Sequence, residues 1–382
     1  MGKKKIIKKG VSDIKIGIID ADLLDNGTRH PNLALMKISG YYKNKGYCVE
    51  LLHNYNNIGD YDKIYLSKVF TFTNMPINID EYNHIKSGGT GLYWDKSPKL
   101  PYEIEHHMPD YKLYDKWIEK EINRGIKRSY FLDYLNYSIG FATKGCVRQC
   151  KFCINENVKG VRKHSPIGEF LKEDRRYIYL WDDNFLAYPK WSEVLDELES
   201  TGKRFQFRQG LDIRFLTEEK AKRLANTKYK GDFIFAFDNI EDRDLIIEKI
   251  KIWKKHYKKK ANVKFYVLCG YDRNNKYDDQ FWKQDIIDTF ERIKILMKYK
   301  SLPYIMRYEK YQQSPFRGMY INLARWCNQP SFFKKKTFRE FCYANQNPNS
   351  DKDCASVRYM KYFEGQHSCI TKEYFDMRFE DF

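Results

Sequence analysis

Tyr177-Ile-Tyr-Leu-Trp181, Trp191-Ser-Glu-Val-Leu-Asp-Glu-Leu-Glu-Ser200 and Arg204-Phe-Gln-Phe-Arg208 decide the fold class. A short aromatic and β-branched run, a helical stretch and a second short run follow one another at the spacing of a βα unit. The rhythm continues toward the C-terminus. Glu218 to Ala225 reads as a helix; Asp232 to Phe237 precedes a helix at Asp242 to His256; Val263 to Cys269 precedes one at Asp285 to Lys298; Pro303 to Arg307 is a last strand. Five or six right-handed βα units around a parallel sheet predict an α/β fold with a full or partial (β/α)6 TIM-like barrel. Chemistry is then expected at the C-terminal ends of the strands.

Upstream, Lys15-Ile-Gly-Ile-Ile-Asp-Ala21 reads as a buried strand, followed by a loop carrying Asp25-Asn-Gly27 and His30-Pro31. An amphipathic helix is expected through Leu33, Leu35, Met36, Ile38, Tyr41 and Tyr42 and is closed by Gly46. Cys48 to Leu52 then gives a second strand and Lys63 to Thr71 a third. This is a βαβ unit of Rossmann type. From Asn74 to Tyr134 periodicity fades among Pro76, Pro98, Pro101, Pro109 and Gly88-Gly89-Thr90-Gly91, as in a connector. The boundaries expected are 1–134 for the Rossmann-like domain and connector, 135–312 for the barrel, and 313–382 for an irregular aromatic and basic cap.

The chain has 382 residues, 69 Lys and Arg against 51 Asp and Glu, and a net charge of +18, on a mean hydropathy of −0.73. Aromatics make up 16%, which excludes a disordered polyelectrolyte. No apolar run approaches the ~18 residues of a membrane span, and the basic start lacks the apolar stretch of a secretory signal, so a cytoplasmic protein with no membrane partner is expected. The positive charge, concentrated at Lys3 to Lys9, Lys251 to Lys264 and Lys334 to Arg339, suits either a nucleic-acid partner or a plain solvated surface. Nine cysteines at uneven spacing point to thiols or metal ligands rather than disulfides.

Gly145-Cys146-Val-Arg-Gln-Cys150-Lys-Phe-Cys153 is the sharpest local signal. Three cysteines at Cys-x3-Cys-x2-Cys spacing are able to converge from one loop on a 4Fe-4S cluster, leaving one iron for a ligand from elsewhere or a small molecule. The alternative is structural zinc, with Cys146, Cys150, Cys153 and His164 as ligands. Cys327, Cys342, Cys354 and Cys369 offer four ligands for a second cluster, but their gaps match no cluster spacing and free or buried thiols are the commoner use.

The triplet, with Phe152 before its last cysteine, resembles the signature of the radical S-adenosylmethionine superfamily. That resemblance implies that Cys146, Cys150 and Cys153 hold the cluster and that S-adenosylmethionine chelates its unique iron. It also implies reductive cleavage to a 5′-deoxyadenosyl radical, fed by an electron donor such as flavodoxin or ferredoxin. Trp181-Asp182-Asp183-Asn184-Phe185 stands where the family carries a motif contacting the methionine amino group, which implies cofactor-binding roles for Asp182 and Asp183. Gln209-Gly-Leu-Asp212-Ile-Arg214, Phe237-Asp238-Asn239 and Leu268-Cys-Gly270-Tyr-Asp272 end the next three strands. They make Gln209, Asp212, Arg214 and Asp238 cofactor-binding candidates, while Gly270 resembles part of the stretch that flanks adenine. Each carboxylate has an alternative use as the N-cap of the following helix.

The first ~130 residues resemble the flavodoxin-like domain of cobalamin-dependent radical enzymes. The Asp-x-His-x-x-Gly motif is absent and His30 matches by position only, so a domain without cobalamin is favoured. Lys68-Val-Phe-Thr-Phe-Thr73, Gly88-Gly-Thr-Gly-Leu92, Tyr102-Glu-Ile-Glu-His106 and Met108-Pro-Asp-Tyr111 extend the resemblance to radical S-adenosylmethionine proteins of bacteriophages and bacterial genomes. It implies the chemistry and no particular substrate: a nucleic acid, nucleotide or peptide, modified by methyl transfer, methylthio transfer or hydrogen abstraction, with no substrate-acting catalytic residue assigned. The rival expectation is a zinc-stabilised nucleic-acid-binding module without turnover.

Overall fold

Lys15–Asp20 forms the first strand, β1, buried at every position after its first, as an Ile-rich strand flanked on both edges must be. The computed structural model describes residues 10–155, 157–259, 262–344 and 346–382. The basic run Lys3 to Lys9, and Lys260 within the second run, lie outside the described residues. β1 pairs in parallel with β2 (Cys48–Leu51) on one edge and β3 (Lys63–Ser67) on the other, and β3 with β4 (Ile85–Gly88). The order is β2-β1-β3-β4. Helix Leu33–Asn44 joins β1 to β2, with the Asn32 side chain capping the Leu35 N–H at 3.2 Å. It packs Leu35, Met36 and Ile38 into one core with Ile16, Ile18 and Val49.

Two expectations are corrected here. The third strand ends at Ser67 rather than Thr71, because the Asp22 carboxylate takes the N–H groups of Val69 (2.7 Å) and Phe70 (3.2 Å) and turns the chain out of the sheet. The segment read as a bare connector carries β4 and helices Tyr102–Glu105, Asp115–Asn123 and Leu132–Asn136. Ile104, Tyr111, Tyr114, Ile118 and Phe131 bury themselves in the same core as β1. Prolines and glycines masked elements too short to show a period.

β5 (Tyr137–Gly140) opens the next sheet. β6 (Thr143–Lys144) and β7 (Arg162–Lys163) form a two-residue antiparallel pair, Thr143 opposite Lys163 and Lys144 opposite Arg162. β8 (Tyr177–Leu180) pairs in parallel with β5, and β9 (Arg204–Phe207) completes the order β5-β8-β9. A third sheet holds β10 (Phe233–Ala236), β11 (Val263–Cys269) and β12 (Leu302–Arg307), all parallel. Leu211, beyond β9, makes a parallel bridge to Phe235. Helices Glu218–Asn226, Arg243–His256 and Asp279–Lys298 alternate with these strands. The α/β class with parallel sheets therefore holds, with hydrogen-bonded strands grouped in separate sheets among the described residues.

By internal contacts the chain forms two units: the first runs up to Asp182 and includes Ser192–Phe205, and the second comprises Asp183–Trp191 and Gln206–Phe382. The tail expected to be irregular is helical at Arg317–Cys327, Pro330–Phe333, Phe338–Tyr343, Ala355–Gln366 and Ser368–Tyr374. Helix Arg317–Cys327 buries Gly318, Met319, Tyr320, Asn322, Leu323, Ala324, Trp326 and Cys327. A helix covered on nearly all sides shows no amphipathic stripe in its sequence.

Candidate functional site

The cysteine loop, in the first unit, is drawn together at its neck by β6 and β7, and His164 N–H adds a hydrogen bond to Ala142 C=O at 2.8 Å. Gly145, φ 104°, enters the loop so close to the exit limb that a Cβ there would lie 2.3 Å from the Gly160 carbonyl oxygen. Only glycine tolerates both the dihedral and the approach. Gln149, between the first two cysteines, is left-handed at φ 48°, and Cys153 N–H bonds to Cys150 C=O at 2.9 Å.

Cys146, Cys150 and Cys153 are all half-buried. Cys146 Sγ lies 3.4 Å from Arg148 N, and Cys153 Sγ lies 3.5 Å from Asn155 N. Backbone N–H groups aimed at sulfur stabilise thiolates and tune iron–sulfur clusters. Among the described residues no three His, Cys, Asp or Glu side chains are already gathered as a metal-holding group. The donor set of three accessible thiols with N–H···S support fits a thiophilic cluster by its chemistry; the coordination geometry itself is not preformed.

Two carboxylates hold the neck. Asp182, 1% exposed at the end of β8, accepts from Ala142 N–H at 2.9 Å and from Thr143 N–H at 2.7 Å. Glu105 Oε1 accepts from Lys144 Nζ at 2.7 Å and from Lys37 Nζ at 3.3 Å, and lies 2.9 Å from His164 Nε2. Burial works to raise the Glu105 carboxyl, yet His164 and the two lysines hold it well below the usual carboxylate range. His164 is pushed down, first by burial and then by Lys144 and Lys37, against the pull of Glu105. Glu105 is thus held ionised by its contacts with His164, Lys144 and Lys37.

His164 Nδ1 also meets Ser165 Oγ at 2.8 Å, so both ring nitrogens are engaged within the protein. Ser165, His164 and Glu105 have the connectivity of a nucleophilic triad, but Ser165 is 3% exposed and offers no substrate access. His30, considered as a corrin ligand, places Nδ1 2.5 Å from Asp133.

The second unit gathers a separate polar cluster at strand ends. Asp212 caps the following turn through Arg214 N–H and receives the Arg214 guanidinium at 2.6 Å and 3.0 Å; Arg214 also reaches Asp242 at 2.7 Å. The capping role weighed for Asp212 is therefore present. Asn184 Nδ2 approaches Asp212 at 3.4 Å. Burial raises the Asp238 carboxyl, opposed by Arg292 and Arg214. Gly270 N–H donates to Asp285 Oδ2 at 2.7 Å, and Asp285, raised by burial, also accepts from Tyr320 OH at 2.8 Å.

Arg292, 2% exposed, donates to the carbonyls of Asp238 (2.6 Å), Leu268 (2.8 Å) and Phe237 (3.2 Å). It thus links the Asp238 and Gly270 ends. Gln209 is exposed and Asp183 half-buried. Phe152 is half-buried beside Cys153 in the cysteine loop. Sequence reasoning missed Glu105, Arg292 and Asp285; charged residues within the apolar rhythm of helix Asp279–Lys298 were the available signal for the last two.

Of the C-terminal cysteines, Cys327 and Cys342 serve packing, Cys354 is half-buried and Cys369 is exposed. Cys327 and Cys342 are buried, the Cys342 thiol is pushed up to about 12 by burial, and Cys354 Sγ lies 3.8 Å from the Cys342 carbonyl. No described helix is long and apolar enough to cross a membrane.

No protein-family model matches the chain, and no curated protein matches it. Among solved structures it is similar to the cobalamin-dependent S-adenosylmethionine radical enzyme OxsB with aqua-cobalamin bound (15% identity, TM-score 0.36) and to the same enzyme in apo, SeMet-labelled form (15%, TM-score 0.35). Both likenesses cover 94% of this chain and 56% of the other; the chain spans little more than half the length of that enzyme. At this identity and superposition the likeness carries no functional argument.

Proposed function

We propose that the protein is a radical S-adenosylmethionine enzyme whose cluster is held by Cys146, Cys150 and Cys153. The observation that carries this reading is the Cys-x3-Cys-x2-Cys loop, with N–H groups 3.4 Å and 3.5 Å from two of its sulfurs and a neck closed by β6 and β7. A 4Fe-4S cluster bound there supplies the electron for reductive cleavage of S-adenosylmethionine.

The chain's own residues have distinct parts in this reading. Asp182 and the β6–β7 pair hold the loop entry in place, and Phe152 shields the loop. Asp183 is assigned to the methionine amino group. The strand-end group of Asp212, Arg214, Asp238 and Gly270, with Gln209, is assigned to the rest of the cofactor, Gly270 offering backbone at a position (φ 76°) where a Cβ would sit 3.0 Å from Tyr311. The reading takes β5 and β8 to β12 as one partial barrel over 135–312, preceded by the Rossmann-like region and followed by the helical cap. It includes no corrinoid. The charge of +18 favours a polyanionic substrate, a nucleic acid before a nucleotide or peptide.

Anaerobic reconstitution, iron and sulfide analysis, and incubation with dithionite and S-adenosylmethionine test it. About four irons per chain and 5′-deoxyadenosine are expected, and both are lost when any of the three cysteines is replaced by Ala. Stoichiometric zinc without 5′-deoxyadenosine overturns the reading and favours a binding module. Stimulation of 5′-deoxyadenosine formation by added RNA or DNA, and not by peptide, is expected for the favoured substrate class.

A further inference from the structure

The neck of the cysteine loop is a ribbon of two antiparallel strands, and successive side chains on such a ribbon face opposite ways. Thr143 and Lys163 form one opposed pair and Lys144 and Arg162 the next. Lys144 and His164 therefore share one face of the ribbon, and Thr143 lies on the other. On the Thr143 face sits Asp182, bonded to the Thr143 hydroxyl at 2.5 Å and to its N–H at 2.7 Å. On the other face a single oxygen, Glu105 Oε1, contacts Lys144 on the entry strand (2.7 Å) and His164 just past the exit strand (2.9 Å).

Glu105 has no place in the cysteine signature and lies 41 residues before its first cysteine by the numbering. It ends helix Tyr102–Glu105, whose Ile104 is 4% exposed and anchored in the core around β1. Lys37, on helix Leu33–Asn44 and itself 5% exposed, holds the same carboxylate from behind at 3.3 Å. The two limbs of a 17-residue excursion between Lys144 and Arg162 are thus tied to one another and to the first sheet's core through one atom. Two hydrogen-bonded strand residues on each limb are too few to keep such a neck closed alone, since a short ribbon is marginal in water.

We infer that Glu105 is a positioning residue for the cysteine loop: its carboxylate clamps both limbs of the neck, and so holds closed the base of the loop that carries the three thiols before any cluster is loaded. This rests on the proposed function for its purpose, while the clamp itself is a property of the metal-free chain. It acts through Lys144 and His164 and touches neither cofactor nor substrate.

The test is pulse alkylation of the full-length, metal-free protein with iodoacetamide, read by peptide mass spectrometry. Cys48 and Cys369, both exposed, serve as internal references. Glu105→Gln is expected to raise labelling of Cys146, Cys150 and Cys153 about tenfold relative to those references, as loss of a charged hydrogen-bond hub permits local opening. Lys144→Met removes charge of the opposite sign and is expected to do the same, which separates opening of the loop from a field effect on the thiols. The double variant is expected to be no worse than Glu105→Gln, because both changes break one clamp.

Glu169→Gln is the control: it breaks the neighbouring His106–Glu169 pair (2.8 Å) and leaves both limbs tied, so loop labelling should stay unchanged. Unaltered labelling in Glu105→Gln, an equal rise in the control, or additive effects in the double variant overturns the clamp. Should Glu105→Gln fail to fold, Lys144→Met and the control decide the matter. Reconstituted Glu105→Gln is further expected to retain fewer irons per chain. Zinc in place of iron would remove the proposed function and leave the alkylation result standing.

Discussion

Asp182 accepts a hydrogen bond from the Thr143 backbone N–H at 2.7 Å, across 39 positions of sequence. With Ala142 N–H on its other oxygen at 2.9 Å, this carboxylate starts the cysteine loop in a defined place. Asp182→Ala would strand three buried donors, these two N–H groups and the Thr143 hydroxyl. A loss of about 3 kcal/mol is expected, read as a lower urea midpoint with unchanged slope. Asp182→Asn, which keeps one acceptor, should lose less than half of that. A neutral Asp182→Ala would show that the neck does not depend on this side chain.

Gly145→Ala introduces a Cβ 2.3 Å from the Gly160 carbonyl at φ 104°. The neck must shift to admit it, at a cost of about 1–3 kcal/mol. The variant should reconstitute with fewer irons per chain. Gly168→Ala, where a Cβ meets nothing within 4 Å, should load as the parent does. Equal loading of both variants would contradict the packing described.

Arg292 is the hub of the second unit's strand ends, donating to three carbonyls while 2% exposed. Arg292→Met removes those donors and takes the cation away from Asp238 and Asp285, both already raised by burial. A loss of about 3–5 kcal/mol is expected near pH 7.5. Carboxyls raised in the folded state bind protons more tightly there than when unfolded, so folding gains as pH falls. The deficit of Arg292→Met should therefore shrink between pH 7.5 and pH 5 in urea titrations, and a deficit that grows would reverse the assignment.

Asp20 ends β1 and is pushed up from 3.8 to about 6 by burial, against the Tyr114 hydroxyl hydrogen bond at 2.8 Å. The folded protein binds this proton more tightly, so the contribution to stability is fullest below pH 3.8 and falls as pH rises to about 6. The difference across that window is about 3 kcal/mol. Asp20→Asn should remove this component and be more stable than the parent at pH 7.5 relative to pH 4.5. Identical pH profiles for the two proteins would show that Asp20 does not titrate in this window.

The strands from Tyr177 to Arg307 were legible because each is a short buried run at βα spacing; helix Trp191–Ser200 and strand Val263–Cys269 match their expected limits. The cysteine triplet was legible because its chemistry depends on local spacing within one loop. The helical tail was not: helix Arg317–Cys327 is buried on nearly all sides, and periodicity fails when no face is left to solvent. Strand β4 was hidden by its four-residue length beside glycines.

The amino-acid sequence by itself determined the α/β class, the alternation of strands and helices from Tyr177 to Arg307 and the loop that carries Cys146, Cys150 and Cys153, since these depend on neighbours within a few residues. Tertiary structure alone decided what braces that loop. Glu105, Asp182 and Lys37 come to its neck from different elements, and Arg292 reaches carbonyls at the ends of β10 and β11 from a helix beyond them both. A buried charge must find its partners wherever the fold brings them, because desolvation costs more than any one local contact returns. That requirement leaves its mark in three dimensions and hardly any along the chain.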